Sequence, residues 1–593
     1  LESLPYVPEA IFNNIERKQD LCLEGTREAL LQEIYEWADS DQEQPLLWLS
    51  GWAGTGKSTI GVTVARKYEE KGRLGASFLF SKGKGNSESA MKFVATVAYQ
   101  LAQKSSLIKD SICKTLEKDR DIVNKSLSDQ WHQLILKPMS DLPDDEGKAP
   151  YILVIDALDE CEESRIRDIQ TILFENQSNH LRVLVTSRPN LDPSFQPASG
   201  PGCQSHSIVL HNIATDIVER DILKFLEHHL AKLRPDWPGT ERINRLVQMA
   251  SGLFIWAATA SRYVTSGGGA LAERRLRKVL DNDICPNSPE GSLDDIYITV
   301  LRDSIPANWS DEERRVCCYS LRQYLGSIVV LFEQMSPHSL YKIMEVNPDK
   351  KAEIEVHELL RNIRAILDVP EGKDEKRTVF RLHHPSLRGF LLDANRCTDM
   401  EFHVDKKQAH RTLLDGCLQL LSQTLKRDIC GLEASGIFDR TPDQLRIEHL
   451  LPPEVQYACL YWVKHLQQSG YVVQENDTIY QFINEHLLHW LEALNWMGKG
   501  HDALEALRCL DSLTIQNKRS GVSILIKSLI RFTQRNLDIL TEAPLQLYSR
   551  TLPFAPRRSP VCKKDKRDAL HSVRSLPKFY GGWARFIRRK KRN

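Results

Sequence analysis

One short stretch of the sequence has the residue types and the spacing that bind phosphate groups. It runs from Gly51 to Ser58 and follows the pattern Gly-x-x-x-x-Gly-Lys-Ser. Glycines let the backbone curl so that successive N–H groups face phosphate oxygens, and the positive end of a following helix strengthens the attraction. We expect Lys57 to contact the β- and γ-phosphates of a nucleotide, Ser58 to coordinate Mg²⁺, and Thr59 to lie near the α-phosphate. The predicted phosphate-binding residues are Gly51, Trp52, Ala53, Gly54, Thr55, Gly56, Lys57, Ser58 and Thr59.

A second candidate group of residues is acidic and follows an apolar run, Tyr151–Asp156. A carboxylate at the end of a buried strand, here Asp156, is placed to hold a water or hydroxyl on Mg²⁺, as in the Walker B motif. Acidic residues just beyond the strand can act as a general base on an attacking water. We expect Glu160 to have this role, with Asp159 as the second choice. The two glutamates that follow are interpreted as solvent-exposed.

A third candidate group follows the apolar run Leu181–Thr186. Ser187 and Arg188 come next, so a hydroxyl and a guanidinium would lie at the carboxyl edge of the sheet, where open α/β folds bind ligands. A guanidinium can pair with phosphate oxygens. We therefore expect Arg188 to sense the γ-phosphate.

The elements that must position these residues form an α/β pattern. Apolar runs at Pro45–Ser50 and Gly75–Phe80 are strand-like, as are the two runs that precede Asp156 and Ser187. The segment Ser58–Lys71 reads as a helix that ends at Gly72. Strands separated by helices indicate a parallel sheet with helices on both faces. The predicted fold class of this region is an α/β P-loop NTPase, with helical domains after it.

Beyond about residue 210 the pattern becomes mainly helical. Asp216–Leu233 has apolar residues on one face, and Asp216 with Glu219 predicts an acidic capping box. The glycine-rich segment at 266–269 predicts a break between helices. Short β-rich pieces occur between residues 293 and 393, and residues 403–548 are mostly helical. We interpret the tryptophans of that last region as core residues; they are Trp462, Trp490 and Trp496.

Taken together, these motifs resemble those of the NACHT-type STAND nucleotide-binding proteins, in particular the NOD-like receptors of filamentous fungi. The resemblance covers about residues 1 to 560. Its motifs are Cys22–Arg27, Gly51–Ser58, Asp156–Glu160, Thr186–Pro189, Ala250–Trp256, Gly326–Phe332, His384–Arg388, Pro452–Cys459 and Glu542–Gln546. The resemblance implies a nucleotide-binding domain at 1–210, a small helical domain at 211–290, a winged-helix domain at 291–400 and a helical domain at 401–556.

The resemblance also implies further nucleotide contacts. Arg27 lies in the segment that runs along the adenosine. Phe254 lies in the helical motif that packs behind the nucleotide, at a position where related plant and animal proteins often have proline. His384 is similar to the winged-helix histidine that touches the β-phosphate of ADP, and its neighbour His383 competes for that role. In the same motif, Leu387 and Gly389 stand where the fungal pattern has phenylalanine and aspartate.

The function implied by the resemblance is that of a regulatory ATPase with slow turnover. ADP would hold the nucleotide-binding and winged-helix domains closed, and exchange for ATP would open them for self-association, in nonself recognition or programmed cell death of a fungus. Two alternatives stay open: a P-loop phosphotransferase, and an adaptor or decoy that binds nucleotide without signalling. The sequence does not specify the upstream trigger, the downstream effector, the oligomer number or a preference for ATP over GTP.

Composition is that of an ordinary globular protein, with 41% hydrophobic and 27% charged residues. No apolar run approaches the roughly 20 residues of a transmembrane helix, and no secretory signal is apparent at the start, so we expect a cytoplasmic protein with no transmembrane segment. The 13 cysteines are scattered and form no Cys-x-x-Cys pair, which favours reduced thiols and argues against zinc. The first residue is Leu1, which is compatible with a fragment of a longer chain.

The net charge of the chain is 0, but its distribution is uneven. From Arg557 to Asn593 there are fourteen Lys and Arg against two Asp, a net charge of +12, which leaves −12 on the remainder. The simplest interpretation of this tail is a disordered, solvated segment. The sharper alternatives are contact with an acidic partner, either a membrane or a nucleic acid, or a nuclear import signal.

Overall fold

The fold is taken from a computed structural model, which describes residues 1–548 with internal gaps. The gaps fall at 2–3, 14–20, 41–43, 82–89, 143–148, 176–177, 179, 192–205, 267–268, 282–288, 307–308, 345–359, 371–377, 432–446, 448, 474–476, 514–520, 543 and 546–547. The basic tail of residues 557–593 lies outside the described residues, so the alternatives for it stay predictions.

A parallel five-stranded sheet forms the first part of the structure. Its strands are β1 (Leu46–Ser50), β2 (Leu74–Leu79), β3 (Tyr151–Asp156), β4 (Leu181–Ser187) and β5 (His206–Val209). Their order across the sheet is β2-β3-β4-β1-β5, and every pairing is parallel. This confirms the four strands predicted from the sequence. The short edge strand β5, only partly buried, was not predicted.

Helices cover both faces of this sheet, as predicted. Alternate strand residues point to opposite sides, so Trp48 enters one apolar cluster whereas its neighbours Leu47 and Leu49 enter another. The helices of this region are α1 (Glu28–Asp39), α2 (Lys57–Glu70), α3 (Phe93–Lys104), α4 (Ser106–Lys118), α5 (Leu127–Trp131), α6 (Lys137–Ser140) and α7 (Glu163–Phe174). Helices α1 and α2 pack on one face, and α3, α4 and α7 pack on the other.

Helix α2 is the element that presents the phosphate-binding loop. It begins at Lys57 directly after Gly56, and it ends beside Gly72, which has the left-handed φ of +69° that favours glycine. The predicted helix Ser58–Lys71 is therefore confirmed to within one residue at each end. Its apolar side, which includes Ile60, Val64 and Tyr68, is fully buried against the sheet.

The next segment is helical, as the sequence pattern indicated. Its helices are α8 (Thr215–Leu230), α9 (Thr240–Ala250), α10 (Phe254–Thr265), α11 (Gly269–Leu280) and α12 (Pro289–Asp303). The predicted capping box at Asp216 is wrong: α8 begins at Thr215 after Ala214, and no side chain caps it. Asp216 is already inside the first turn, and its carboxylate lies 3.6 Å from Arg220 on the exposed surface.

Further along, α13 (Asp311–Val330), α14 (Pro337–Met344) and α15 (Ser386–Leu392) accompany a small antiparallel sheet of β6 (Leu367–Asp368) and β7 (Arg381–Leu382). Helix α13 has a complete capping box between Ser310 and Glu313. These elements fit the predicted mixture of helices with short strands. The winged-helix assignment and the domain boundaries remain predictions.

The last described segment is built of long helices. They are α16 (Lys406–Thr424), α17 (Pro453–Ser469), α18 (Thr478–Trp496), α19 (Gly500–Leu513) and α20 (Gly521–Glu542). Trp462 and Trp490 are fully buried, in agreement with their interpretation as core residues, and Trp496 is half-buried. Glu492 is also fully buried here, where it accepts hydrogen bonds from the backbone N–H groups of Asp428 and Ile429.

The buried apolar residues fall into three clusters. Two of them lie on the two faces of the sheet, and the third extends through the helices from Val218 to Tyr548. None of the helices in the described part of the chain combines the length and the hydropathy that a membrane crossing requires.

Candidate nucleotide-binding site

A cavity of about 540 Å³ lies at the carboxyl ends of β1 and β3. Ligand pockets commonly have volumes of roughly 300–1,000 Å³. Widely separated parts of the chain line it, including Arg27, Lys57, Glu160, Phe254 and His384. The structure thus brings together predicted site residues that are more than 350 positions apart in the sequence.

The phosphate-binding loop contributes its second half to this cavity. Residues 54–59 line it, whereas Gly51, Trp52 and Ala53 do not. Trp52 is 51% exposed, and its ring lies 5.1 Å from that of His211. The Lys57 ammonium donates hydrogen bonds to the carbonyl oxygens of Gly51 (2.7 Å) and Trp52 (2.9 Å), which hold it across the loop. Burial lowers the pKa of Lys57, while Asp159 and Asp156 act in the opposite direction.

The first turn of helix α10 packs directly against the tip of this loop. The N–H of Ile255 donates a hydrogen bond to the carbonyl oxygen of Gly54 (3.1 Å). Gly54 has a left-handed φ of +83°, and a Cβ atom at this position would lie 2.1 Å from Cγ2 of Ile255. Only glycine fits here, because both the backbone conformation and the close approach of α10 exclude a larger side chain.

We expect Gly54→Ala to destabilise the protein more than Gly56→Ala, its matched control. Both glycines have positive φ, but a Cβ at Gly56 would meet nothing within 4 Å, so that variant reports backbone strain alone. Such strain costs about 1–2 kcal/mol. Gly54→Ala adds the clash with Ile255 and should show the lower melting temperature without nucleotide. Equal melting temperatures of the two variants would show that α10 does not press on Gly54.

The acidic residues at the end of β3 have different partners. Oδ1 of Asp156, which is buried, accepts a hydrogen bond of 2.6 Å from the Thr186 hydroxyl. Asp159 forms an ion pair with Arg188, with Nε and Oδ2 3.0 Å apart, and it also accepts the Arg188 backbone N–H. Glu160 lines the cavity, and Asp159 does not. This geometry favours Glu160 over Asp159 as the candidate general base.

Arg188 lies at the edge of the site rather than in the cavity wall. Its side chain is 46% exposed and is directed to Asp159. It is nevertheless close enough to lower the pKa of both Lys57 and His384 by charge repulsion. Contact between Arg188 and a γ-phosphate would require the ion pair with Asp159 to break or rearrange.

The segment Cys22–Arg27 covers the cavity and is anchored on both sides. Toward α2, the N–H of Cys22 donates to the Thr63 hydroxyl (2.9 Å). Toward α8, the Lys224 ammonium donates to the Gly25 carbonyl (2.7 Å), and the N–H of Arg27 donates to the Asp221 carboxylate (3.0 Å). Nucleotide bound under this segment would therefore contact parts of the chain that belong to both the sheet and α8.

The side chain of Arg27 is buried between the loop and α10. Its Nη2 donates to the Thr55 carbonyl (3.1 Å), and its guanidinium lies 4.8 Å above the Phe254 ring. Burial lowers the pKa of Arg27, and Asp221 opposes the shift. Nη1 is buried and has no hydrogen-bond partner among the described residues. A buried donor without a partner is costly, so a bound anionic or polar ligand group would stabilise it.

His384 reaches the same cavity from the turn before α15. Its Nδ1 lies 2.6 Å from the Ser386 hydroxyl and accepts a hydrogen bond from the Ser386 backbone N–H (3.1 Å). Burial, followed by repulsion from Lys57, Arg188 and Arg262, lowers the pKa of His384 to about 3. The ring is therefore neutral at pH 7, and because Nδ1 is an acceptor, the proton is on Nε2.

Its neighbour His383 has a different partner. The exposed His383 ring lies with Nε2 2.9 Å from the carbonyl oxygen of Arg364. Both histidines line the cavity, and the charges of Lys57, Arg188 and Arg262 act on His384. The structure thus favours His384 for the role that the two residues shared in the sequence.

A family model described as "Nephrocystin 3, N-terminal" matches residues 25–188, the part that contains the loop, β3 and β4. The vegetative incompatibility protein HET-E-1 of Podospora anserina is 24% identical over 588 residues, which cover 92% of this chain. The resemblance to fungal NACHT-type NTPases is confirmed. The "Transcription activator GutR" of Bacillus subtilis (strain 168) is 24% identical over 173 residues, or 29% of this chain. The chain spans 41% of the length of the first relative and 18% of the second.

Two solved structures share low similarity with this chain. The structure of C. elegans PCH-2 is 15% identical in sequence and has a TM-score of 0.27. The match covers 43% of this chain and 68% of the PCH-2 chain. The structure of Drosophila ORC bound to DNA is 12% identical in sequence and has a TM-score of 0.26. The match covers 68% of this chain and 90% of the ORC chain. The P-loop NTPase fold follows instead from the parallel sheet and from the loop between β1 and α2.

Several residues around the cavity were not among the site residues predicted from the sequence. They are Asp221, Lys224, Ile255, Arg262 and Arg388. Arg388 is half-buried close to Glu160, whose charge opposes the lowering of the Arg388 pKa by burial. A buried acid such as Asp221 on the apolar face of α8 was the one visible signal, since a buried carboxylate requires a partner.

Proposed function

We propose that the protein is an ATP- and ADP-dependent switch that hydrolyses ATP slowly. The observation that carries this proposal is the presence of His384, a neutral donor from the turn before α15, in the same cavity as Lys57 of the phosphate-binding loop. An imidazole N–H can donate to the phosphate of a nucleotide held by the loop. Bound ADP would thereby connect the sheet to the later helices.

The chain's own residues fit a nucleotide with Mg²⁺. Lys57 and the N–H groups at the start of α2 would hold the phosphates, and the unpartnered Nη1 of Arg27 offers a further donor. Ser58 and Asp156 would hold Mg²⁺, because hydroxyl and carboxylate oxygens are its preferred ligands. When bound, Mg²⁺ would neutralise phosphate charge. Phe254 and Arg27 would enclose the base.

Hydrolysis would depend on the acidic edge of the cavity. Glu160 would orient and deprotonate the attacking water, since it lines the cavity and Asp159 is paired with Arg188. Arg188 would reach the γ-phosphate only after leaving Asp159. Because the Arg188–Asp159 ion pair must break before Arg188 can assist, we propose that turnover is slow, as suits the resetting of a switch.

The switch itself follows from unequal binding to two states. A ligand shifts an equilibrium only by its difference in affinity for the two forms. ADP would favour the closed form, in which His384 contacts the β-phosphate, and ATP would favour an open form that associates with further copies of this chain. In keeping with the name of the Podospora relative, we propose that the biological process is nonself recognition. The winged-helix domain at 291–400 would be the part that moves.

We expect His384→Ala to release ADP about 10- to 100-fold faster than the parent protein. A hydrogen bond to a charged group contributes about 1.5–3 kcal/mol, and each 1.4 kcal/mol is a factor of ten. The measurement is the displacement of a fluorescent ADP analogue by excess ATP, together with the mass of the complex in each nucleotide. His384→Ala should also associate in ATP without a trigger.

The comparison variant is His383→Ala; this ring also lines the cavity, but its Nε2 lies against the Arg364 carbonyl, so its loss should change ADP release less than the loss of His384. The melting temperature in saturating ATP shows whether the variant has lost only the contact with the β-phosphate or is also less stably folded. An ADP release rate equal to that of the parent, or loss of the folded protein in both nucleotides, would remove His384 from the site and contradict the proposed switch.

A further inference from the structure

Arg262 lies where α10 meets the turn before β6, in the wall of the nucleotide cavity. It is on α10, eight residues after Phe254, which places it about 12 Å further along the helix axis. Its Nε donates a hydrogen bond of 3.1 Å to the carbonyl oxygen of Ala365, in the turn before β6. Its Nη2 lies 3.5 Å from the Thr259 hydroxyl on its own helix. The side chain therefore connects α10 with the small antiparallel sheet.

The same side chain also lines the nucleotide cavity. Its charge acts on His384, as do the charges of Lys57 and Arg188. The carbonyl of Ile366, next to Ala365, accepts the backbone N–H of His383, so the turn that Arg262 contacts lies beside the His383–His384 segment and Arg262 lies at this end of the cavity. Phe254, at the start of the same helix, also lines the cavity and is the residue that we propose encloses the base. Helix α10 thus spans the cavity from base to phosphates.

We propose that Arg262 binds the outermost phosphate of the bound nucleotide and that this contact competes with its hydrogen bond to Ala365. The inference rests on the proposed function, since it requires a nucleotide in this cavity. A guanidinium binds a phosphate more strongly than a neutral carbonyl, because the hydrogen bond is charge-assisted. ATP extends one phosphate further than ADP, and it draws Arg262 away from Ala365 more effectively.

This competition gives the third phosphate a direct mechanical effect. With ADP, Arg262 holds the turn at Ala365 against α10, next to the turn that carries His384. With ATP, the guanidinium turns to the phosphate and that tie is lost. Arg262 would then respond to the third phosphate, while His384 holds the closed form through the β-phosphate of ADP.

The test compares binding of adenosine, ADP and ATP by the parent, Arg262→Met and Arg262→Lys. Methionine keeps much of the length without the charge, and lysine keeps the charge without the planar pair of donors. The matched control is Arg220→Met, which removes an exposed arginine on α8. Calorimetric titration gives the affinities, and melting temperature checks the fold of each variant.

We expect Arg262→Met to bind ATP about 10- to 100-fold more weakly, the range for loss of one charge-assisted hydrogen bond. ADP should lose less, adenosine and the Arg220→Met control nothing, and Arg262→Lys should fall between parent and Arg262→Met. Unchanged ATP binding, or an equal loss for all three ligands, would overturn the inference. A parent protein that binds neither ADP nor ATP would instead refute the proposed function.

Discussion

Lys57→Ala is expected to lower the affinity for ATP and ADP by about 100-fold or more. A lysine placed against two phosphates makes at least two charge-assisted hydrogen bonds, each contributing about 1.5–3 kcal/mol. The variant also loses the hydrogen bonds from Nζ to the carbonyl oxygens of Gly51 and Trp52. The conformation of the nucleotide-free loop is therefore less stable as well. Calorimetric titration with each nucleotide measures the loss.

The control for this variant is Arg66→Ala, which removes an exposed cation from the outer side of the same helix, α2. It should bind both nucleotides like the parent. If Lys57→Ala binds ATP and ADP with parental affinity, the assignment of Gly51–Ser58 as the phosphate-binding loop is wrong. A loss in both variants would indicate damage to α2.

Glu160→Gln is expected to retain ATP binding and to slow hydrolysis by about 10²–10⁴-fold, the usual cost of losing a general base. The amide has nearly the size of the carboxylate but cannot accept the proton of the attacking water. Single-turnover hydrolysis with enzyme in excess separates this chemical step from product release. The prediction depends on the different positions of Glu160, in the cavity wall, and Asp159, in the ion pair with Arg188.

Two further variants make this prediction specific. Glu163→Gln, an exposed residue of the first turn of α7, should hydrolyse ATP at the parental rate. Asp159→Asn weakens the ion pair and should have a smaller effect than Glu160→Gln. Parental hydrolysis by Glu160→Gln together with inactive Asp159→Asn would transfer the role of base to Asp159.

The sequence predicted the sheet well because its signals are local. Buried strands such as β3 are continuous apolar runs, and the loop before α2 has a fixed spacing of glycines, so neither depends on distant residues. The capping box at Asp216 is also a local signal, but this prediction was wrong because a cap depends on the exact residue at which the helix begins. The pattern was present, but the N-cap is Ala214, two residues before Asp216, and such a shift removes the cap.

The connections between distant segments were not predictable in the same way. The contact of Arg27 with Asp221 joins residues 194 positions apart, and it depends on a left-handed φ of +57° at Arg27. No periodicity contains such information. Similarly, the sequence offered both His383 and His384, and both residues line the cavity; only the fold shows that His383 Nε2 lies against the Arg364 carbonyl while Nδ1 of His384 lies against Ser386.

The division of the buried apolar residues into clusters has a consequence for the heat capacity of opening. Among the described residues, the last buried member of the sheet clusters is Leu210 and the first of the helical cluster is Val218, with the single partly buried Ile213 packed against both. Contacts across this border include polar ones, at Asp221 and Lys224. Exposure of apolar surface dominates heat-capacity changes in proteins. Opening along this border should give a nearly linear van't Hoff plot for ADP release, whereas opening within the helical cluster should give a curved one.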